Sequence, residues 1–238
     1  MKRKTKVIAI IPARGGSKSI KYKNLALLNG KPLIYYSIKS AIKSKLVDKI
    51  IVSTDNKRIK SVALKYGAEV PFLRPKNLSG DKVLDYPVIN HVLKKLELNT
   101  LKHKDIIIIY LRPTQPLRSS KEIDKVINFI IKRNDVDCVR SIRKSVYPPY
   151  WMKKLVGKKI LTPLINNKNF IKTARRQDLP DAYMCDGYVD AIKIGSLIKN
   201  KCFPPKKCHA IMSDSKYFID IDNKVDLALA NMILKSNE

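Results

Sequence analysis

Short β-branched segments alternate with amphipathic segments of helical period along most of this chain. Val7–Ile11, Lys49–Ser53 and Asp105–Leu111 have the continuous apolar character of strands that are buried on both faces. Segments of about 10–15 residues with helical period separate them, which favours right-handed βαβ connections. The alternation therefore predicts an α/β fold with a mainly parallel, doubly wound sheet that is covered by helices on both faces.

The same pattern places further elements and one interruption. Strands are predicted over 7–11, 49–53, 70–73, 105–111, 138–142 and 187–194, and a short one within 213–222. Helices are predicted over 32–43, 57–66, 85–96, 119–132 and 225–235, the fourth opened by a Ser119–Glu122 capping box. Over about 145–185 the rhythm is lost to prolines and an Asn-rich run, which predicts a small lobe inserted into a single domain spanning 1–238.

The strong positive charge leaves two classes of function open. The chain carries 49 Lys and Arg against 20 Asp and Glu, a formal net charge of +29. A charge of this size is typical of nucleic-acid-binding proteins, which remain an alternative. However, Lys far outnumbers Arg and is spread over every predicted helix, which favours a compositional bias with a polyanionic small substrate. We therefore expect no specific nucleic-acid partner.

Apolar runs and cysteines give no sign of a membrane or metal protein. No run approaches the about 18–20 residues of a membrane span, and the N-terminus lacks a secretory signal pattern. We expect a cytoplasmic protein with no membrane partner. The four cysteines include no CxxC pair, and reduced thiols explain Cys202 and Cys208 better than a metal site beside His209 does.

A glycine-bearing loop with two cations follows the first predicted strand directly. Ala13–Lys18 reads Ala-Arg-Gly-Gly-Ser-Lys, and its two glycines let backbone N–H groups approach a phosphate closely. Arg14 and Lys18 add positive charge, and Ser17 adds a hydroxyl. The Walker A spacing is absent. The loop is a candidate phosphate site, with an ordinary βα turn as the alternative.

Two aspartates near the C-terminus are the best metal candidates. Asp220 and Asp222 are spaced i and i+2, and on a strand such residues point to the same side. Two carboxylates held close together are costly without a cation, so the pair could bind Mg²⁺. From spacing alone, two solvated acids near a strand end are equally consistent.

Taken in order, the motifs resemble those of the CMP-sialic acid synthetases, also called acylneuraminate cytidylyltransferases. The resemblance covers residues 7–232, nearly the whole chain. It rests on Ile11–Lys18, Lys23-Asn24, Gly30–Leu33, Ile51–Asp55, Tyr66–Pro75, Leu111–Arg118, Arg175–Pro180 and Ile219–Asp222.

The resemblance implies a Rossmann-like nucleotidyltransferase fold, CTP as substrate and Mg²⁺ as cofactor. A nine-carbon 2-keto-3-deoxy sugar acid would attack the α-phosphate of CTP, giving a CMP-sugar and pyrophosphate. An eight-carbon acid, as in CMP-Kdo synthetases, is the alternative within the fold; the Arg-Arg-Gln motif and the paired Asp favour the nine-carbon acid. The resemblance also implies a homodimer whose lobe, at about 145–185, carries Arg176 into the neighbouring subunit's site. From the sequence alone, Arg175 and Arg176 could instead form surface ion pairs.

The resemblance further assigns roles to individual residues. Expected in catalysis are Arg14, Lys18, Lys23, Asp220 and Asp222, the last two as metal ligands. Expected to bind the nucleotide are Arg14, Gly15, Ser17, Lys18, Lys23, Asn24, Arg74 and Asp85. Expected to bind the sugar are Arg112, Thr114, Gln115, Asp186, Asp190, Phe203 and, from the neighbouring subunit, Arg176.

The expected sugar pocket departs from the family pattern. The family usually has Gln at the position of Arg112, an aromatic residue at Asp190 and Arg at Met184, and it has a second aromatic residue at Pro204. The presence or absence of one hydrogen bond in a dry pocket is worth ~1–3 kcal/mol. The altered pocket is therefore expected to suit a legionaminic-type or other modified nine-carbon acid at least as well as N-acetylneuraminic acid.

Overall fold

The chain folds into two compact units. A computed structural model describes residues 5–157, 160–165 and 175–236. The main unit comprises Met1–Ser141 and Gly187–Glu238, and the inserted unit comprises Ile142–Asp186. The excursion predicted over about 145–185 falls on the inserted unit, and its role in dimerisation stays a prediction.

The main unit is built on a six-stranded sheet. Its strands are β1 Val7–Pro12, β4 Lys49–Ser53, β5 Ile107–Tyr110, β6 Cys138–Lys144, β9 Tyr183–Lys193 and β10 His209–Met212. Their order across the sheet is β10-β6-β9-β5-β1-β4. Strand β1 pairs in parallel with β4 and with β5, while β9 pairs antiparallel with β5. The mainly parallel α/β sheet expected from the sequence is thus confirmed, with an antiparallel β9. A separate small hairpin pairs β2 Leu27–Leu28 with β3 Lys31–Pro32.

Helices cover both faces of this sheet. They are α1 Leu33–Lys43, α2 Lys57–Lys65, α3 Asp85–Lys95, α4 Ser120–Lys132, α5 Ile194–Asn200 and α6 Lys224–Lys235. Successive side chains of β1 point to opposite faces, and both faces are apolar. Ala9 belongs to a core cluster shared with α1, α2 and α4, and Ile10 belongs to a second cluster shared with α3 and α5. The predicted capping box at Ser119 and Glu122 is present at the start of α4.

Two strand predictions were wrong. The predicted strand over 70–73 is not formed. Glu69, just before it, makes an isolated bridge to Ile51, and Pro71 has no N–H to extend a ladder. In 213–222 the chain has already left the sheet, whose last strand ends at Met212. The alternation that suggested this second strand arises because Ile219 and Ile221 pack into a third core cluster with α6, rather than from sheet pairing.

The inserted unit contains a β-hairpin with an apolar surface. Strands β7 Lys153–Val156 and β8 Ile160–Pro163 pair antiparallel, and Leu155 lies opposite Leu161. Both leucines are about two-thirds exposed, at 65% and 66%. Within the described ranges, no helix of either unit has the length and apolar content that crossing a bilayer requires.

Candidate active site

The glycine-bearing loop after β1 is fastened to the end of β4. The Ala13 amide donates to the Ser53 carbonyl at 2.9 Å, and the Gly15 amide donates to a carboxylate oxygen of Asp55 at 2.8 Å. A Cβ atom on Gly15 would lie only 2.8 Å from the side-chain nitrogen of Asn56. Glycine is therefore required at this point for close packing between the two loops.

One cavity of about 610 Å³ gathers most of the predicted site residues at the carboxyl ends of the parallel strands. This is the edge where ligands bind in open α/β sheets. It is lined, among others, by the predicted residues Arg14, Ser17, Lys18, Lys23, Asn24, Arg74, Asp85, Arg112, Thr114 and Asp222. The cavity thus brings the predicted phosphate loop together with one member of the predicted metal pair.

The two loop cations share a carboxylate that the sequence analysis did not single out. Asp81 accepts from Arg14 Nη1 at 2.5 Å and pairs with Lys18 Nζ at 2.8 Å. The hydrogen bonds from Lys18 and Arg14 hold the pKa of the Asp81 carboxyl below its usual value. Asp81 lies 67 positions beyond Arg14, and no local motif marks such a pairing in the sequence.

Two further residues brace the loop and the opposite wall. The Asn24 side-chain amide donates to the Arg14 carbonyl at 2.9 Å. Lys23 Nζ donates to the Ile221 carbonyl at 2.8 Å and to Asp222 at 3.1 Å. Lys23 is therefore a fixed cation, with its side chain 15% exposed, whereas Asp222 is 75% exposed.

Asp222 lies close enough to Asp220 to act on it, as the spacing argument required, although no strand carries the two residues. Both are exposed and alternate with the buried Ile219 and Ile221, so the chain alternates in the manner of a strand. Partial desolvation raises the pKa of Asp220, and the negative charge of Asp222 raises it further, while a hydrogen bond from Thr114 opposes the shift. A cation beside the pair would relieve this repulsion, so the carboxylates fit a divalent ion.

Protein groups alone supply few ligands at this position. Among the described residues no cluster of three or more His, Cys, Asp or Glu side chains is placed to hold a metal. Mg²⁺ prefers six oxygens and commonly binds through one or two carboxylates together with substrate phosphates and waters. The aspartate pair is thus suited to a metal that arrives with a phosphorylated ligand.

Arg112 is held between two carboxylates. Its guanidinium donates to Asp85 at 2.6 Å and to Asp190 at 2.6 Å, and it lies over the Tyr110 ring at 5.1 Å from the centroid. Desolvation alone would lower the pKa of Arg112, but Asp190 and Asp85 outweigh it and raise the pKa. Asp190 is fully buried and also accepts from Arg140 at 3.0 Å.

The remaining predicted sugar residues differ in their surroundings. Gln115 is 1% exposed, and neither of its side-chain amide atoms has a hydrogen-bond partner among the described residues. Phe203 packs edge-on against Tyr110 at 5.5 Å. Asp186 and Arg176 belong to the inserted unit, where Asp186 is buried and Arg176 is exposed and donates to the Ser145 carbonyl at 3.2 Å. The sugar contacts of these residues stay predictions.

Arg118 is a second residue to which the sequence analysis gave no role. Its side chain is buried and donates to the carbonyls of Tyr188 and Arg112 and to the Ser37 hydroxyl. Desolvation lowers its pKa to about 10. Arg118 ends the motif Leu111–Arg118, so its position was visible in the sequence, but its task of shaping the loop that carries Thr114 was not.

Comparison with known proteins gives a consistent picture. Residues 8–188 match the protein family described as Cytidylyltransferase. The chain is 30% identical to a CMP-N,N'-diacetyllegionaminic acid synthase from Legionella pneumophila, over 98% of each chain. It is 31% identical to a pseudaminic acid cytidylyltransferase from Campylobacter jejuni, over 98% of this chain and 97% of the other.

A solved structure supports the same fold at much lower identity. The structure of a CMP:2-keto-3-deoxy-manno-octonic acid synthetase complexed with CTP superimposes with a TM-score of 0.72 at 15% identity. The alignment covers 98% of this chain and all of the other. At this identity the likeness establishes the fold alone.

The buried pairing of Asp190 leads to a stability prediction. We expect Asp190→Asn to lower the free energy of unfolding in urea by about 3–5 kcal/mol, because two arginines lose the buried carboxylate that they share. Asp85→Asn is the matched control, since it leaves Arg112 paired with Asp190 and should cost about 1 kcal/mol or less. Equal, small losses for both variants would contradict this assignment.

Proposed function

The chain belongs to the cytidylyltransferase family, and on that basis we propose that it condenses CTP with a nine-carbon 2-keto-3-deoxy sugar acid. The products are a CMP-sugar and pyrophosphate. The observation that carries the proposal is the cavity that holds the glycine-bearing loop, with Arg14 and Lys18, opposite Lys23 and Asp222. A triphosphate needs such an array of cations.

The proposed chemistry needs little covalent work from the protein. The anomeric hydroxyl oxygen of the sugar acid forms a bond to the α-phosphorus, and the bond from that phosphorus to the bridging oxygen breaks. The electron pair leaves with pyrophosphate, and the hydroxyl proton passes to solvent. Arg14 and Lys18 would stabilise the charge that grows on the leaving pyrophosphate, and the braced position of Lys23 would fix its ammonium beside the reacting phosphate.

The identity of the sugar is proposed from the relatives and from the altered pocket. Relatives at about 30% identity are named for diacetyllegionaminic acid, pseudaminic acid and N-acylneuraminate, which favours a nine-carbon acid. The eight-carbon alternative is represented by a structural neighbour at 15% identity. Because Arg112 and Asp190 neutralise one another, the two departures at these positions add no net charge to the pocket. We therefore propose a legionaminic-type acid or another modified nine-carbon acid.

We also propose Mg²⁺ as the cofactor, held by Asp222 and Asp220 together with phosphate oxygens of CTP. The ion would supply Lewis-acid stabilisation of phosphate charge. The raised pKa of Asp220, caused first by desolvation and then by the nearby charge of Asp222, supports this placement, because a cation stabilises a carboxylate whose charged form is disfavoured.

The apolar surface of the inserted unit supports a homodimer. Leu155 and Leu161 lie opposite one another on the hairpin and are exposed, as are Tyr147 and Met152. Monomeric proteins rarely expose large contiguous apolar patches. We propose that the unit pairs with a second copy of the chain and that Arg176 then serves the neighbouring site.

The proposed setting is the cytoplasm. The dispersed positive charge is assigned to attraction of polyanionic substrates. No nucleic-acid or membrane partner is proposed.

The reaction itself is tested with a substrate panel. Pyrophosphate release should be measured with CTP, Mg²⁺ and, separately, N,N'-diacetyllegionaminic, pseudaminic, N-acetylneuraminic and eight-carbon 2-keto-3-deoxy-octonic acids. We expect turnover with at least one nine-carbon acid, with a kcat/KM at least about tenfold above that for the eight-carbon acid, which is about 1.4 kcal/mol of discrimination. Absence of turnover with every acid would overturn the proposal.

The metal assignment is tested with Asp222→Asn. We expect the Mg²⁺ concentration for half-maximal rate to rise, or kcat to fall, by about 10–100-fold, because one of the two carboxylates is lost. Asp214→Asn is the matched control, since it removes the same charge from an exposed ion pair with Lys125 outside the cavity. A Mg²⁺ titration that is identical for Asp222→Asn and the wild type would place the metal elsewhere.

The dimer is tested by light scattering after size exclusion. The wild type should have twice the chain mass of 27.2 kDa, and the double variant Leu155→Lys, Leu161→Lys should have the mass of one chain. Leu64→Lys is the control, because Leu64 is likewise an exposed leucine, 50% exposed, but lies on α2 of the main unit. A wild type that has the mass of a single chain, or a double variant that stays dimeric, would contradict this interface.

A further inference from the structure

Asp81 is placed where a phosphate group would be expected. One of its carboxylate oxygens contacts Arg14 and the other contacts Lys18, the two cations of the phosphate loop. Asp81 lines the same cavity as both of them. A carboxylate that bridges two cations with two oxygens uses the same donors that a phosphate would use.

The surroundings of Asp81 make this bridge easy to break. The side chains of Asp81 and Lys18 are 39% and 88% exposed, so solvent and salt screen their attraction. Arg112 differs, because its partner Asp190 is fully buried. Asp81 also lies in a turn between the short helical segment Lys76–Leu78 and α3, rather than inside a regular element.

We propose that Asp81 is an internal counter-ion that holds Arg14 and Lys18 before the nucleotide binds and is displaced by the polyphosphate of the nucleotide. This rests on the proposed function, since it assumes that the loop binds a triphosphate. Asp81 thereby sets the affinity of the site for polyphosphates and eases the departure of pyrophosphate, because the carboxylate returns to the cations as the product leaves. A nucleoside monophosphate, whose single phosphate is the one retained in the product, competes little with it.

The proposal predicts that removing this charge tightens polyphosphate binding. Dissociation constants should be measured by calorimetry for inorganic pyrophosphate, CTP and CMP without Mg²⁺, on the full chain. For Asp81→Asn we expect pyrophosphate and CTP to bind about 3–10-fold more tightly at low salt, the combined effect of two exposed ion pairs. The change for CMP should be under about twofold, and the gain should shrink between about 0.01 M and about 1 M salt.

Two further variants isolate the cause. Asp135→Asn is the matched control, because Asp135 is likewise an exposed acid paired with an arginine, Arg133, and does not line this cavity. It removes the same unit charge and should leave all three constants within about twofold. Asp81→Glu retains the charge and should bind pyrophosphate like the wild type, and Asp81→Ser repeats the test if the amide variant is unstable.

The outcomes separate this inference from the proposed function. If the wild type binds CTP and Asp81→Asn binds pyrophosphate no more tightly, the counter-ion role is overturned and the proposed function stands. Weaker binding by Asp81→Asn would also overturn it, since it would show that Asp81 helps to hold the ligand. If no variant binds CTP even with Mg²⁺, the proposed function itself fails.

Discussion

The cavity depends on a set of backbone attachments at the end of β4. The loop after β1 donates its Ala13 amide to Ser53 and its Gly15 amide to Asp55, while the Arg74 amide donates to the Thr54 carbonyl at 2.7 Å. Two chain segments that are distant in sequence, the loop and Arg74, are therefore fixed to the same short stretch, Ser53–Asp55. Because these groups are satisfied within the protein, the loop is positioned before any ligand binds, which is the condition for electrostatic stabilisation without reorganisation.

The sequence predicted the architecture well because the burial of apolar side chains determines both the hydrophobic periodicity and the fold. Strands β1, β4 and β5 are buried on both faces and are continuous apolar runs, and the helices between them show one apolar face. The prediction failed where alternation had another origin. In Ile219–Asp222 the buried isoleucines pack against α6 rather than on a sheet. Alternating burial looks the same in the sequence in both cases, so it could not separate them. The strand predicted over 70–73 contains Pro71, which has no N–H to extend a ladder, and pairing stops at the isolated bridge of Glu69 to Ile51.

The site was predicted where residues are adjacent in sequence and was missed where they meet only in the fold. The loop cations and the aspartate pair belong to short motifs, so the sequence could nominate them, and the structure places Arg14, Lys18 and Asp222 in one cavity. Asp81 and Arg118 act through partners far along the chain. Arg112 and Asp190 illustrate the same limit: each is a departure from the family pattern when considered singly, yet they form one buried ion pair. Compensation of this kind needs the register of β5 against β9 to be known, which places Tyr110 opposite Asp190.

The ion pairs of the cavity differ in exposure in a way that matches the chemistry proposed for each part. Asp190 is fully buried and Arg112 is 24% exposed, so solvent screens their ion pair little and the wall that they form is firmly held. Lys23 is largely buried, but its partner Asp222 is open to solvent and can exchange one cation for another. Asp81 and both of its partners are at least one-third exposed, Lys18 at 88%, and these partners are the two loop cations assigned to the phosphate group that must leave. A transferase of this kind needs a rigid surface for the group that it selects and a loosely held one for the group that it releases. Screening by water weakens an exposed ion pair far more than a buried one, so the pair of Arg112 with Asp190 suits the first need and the pair of Lys18 with Asp81 suits the second.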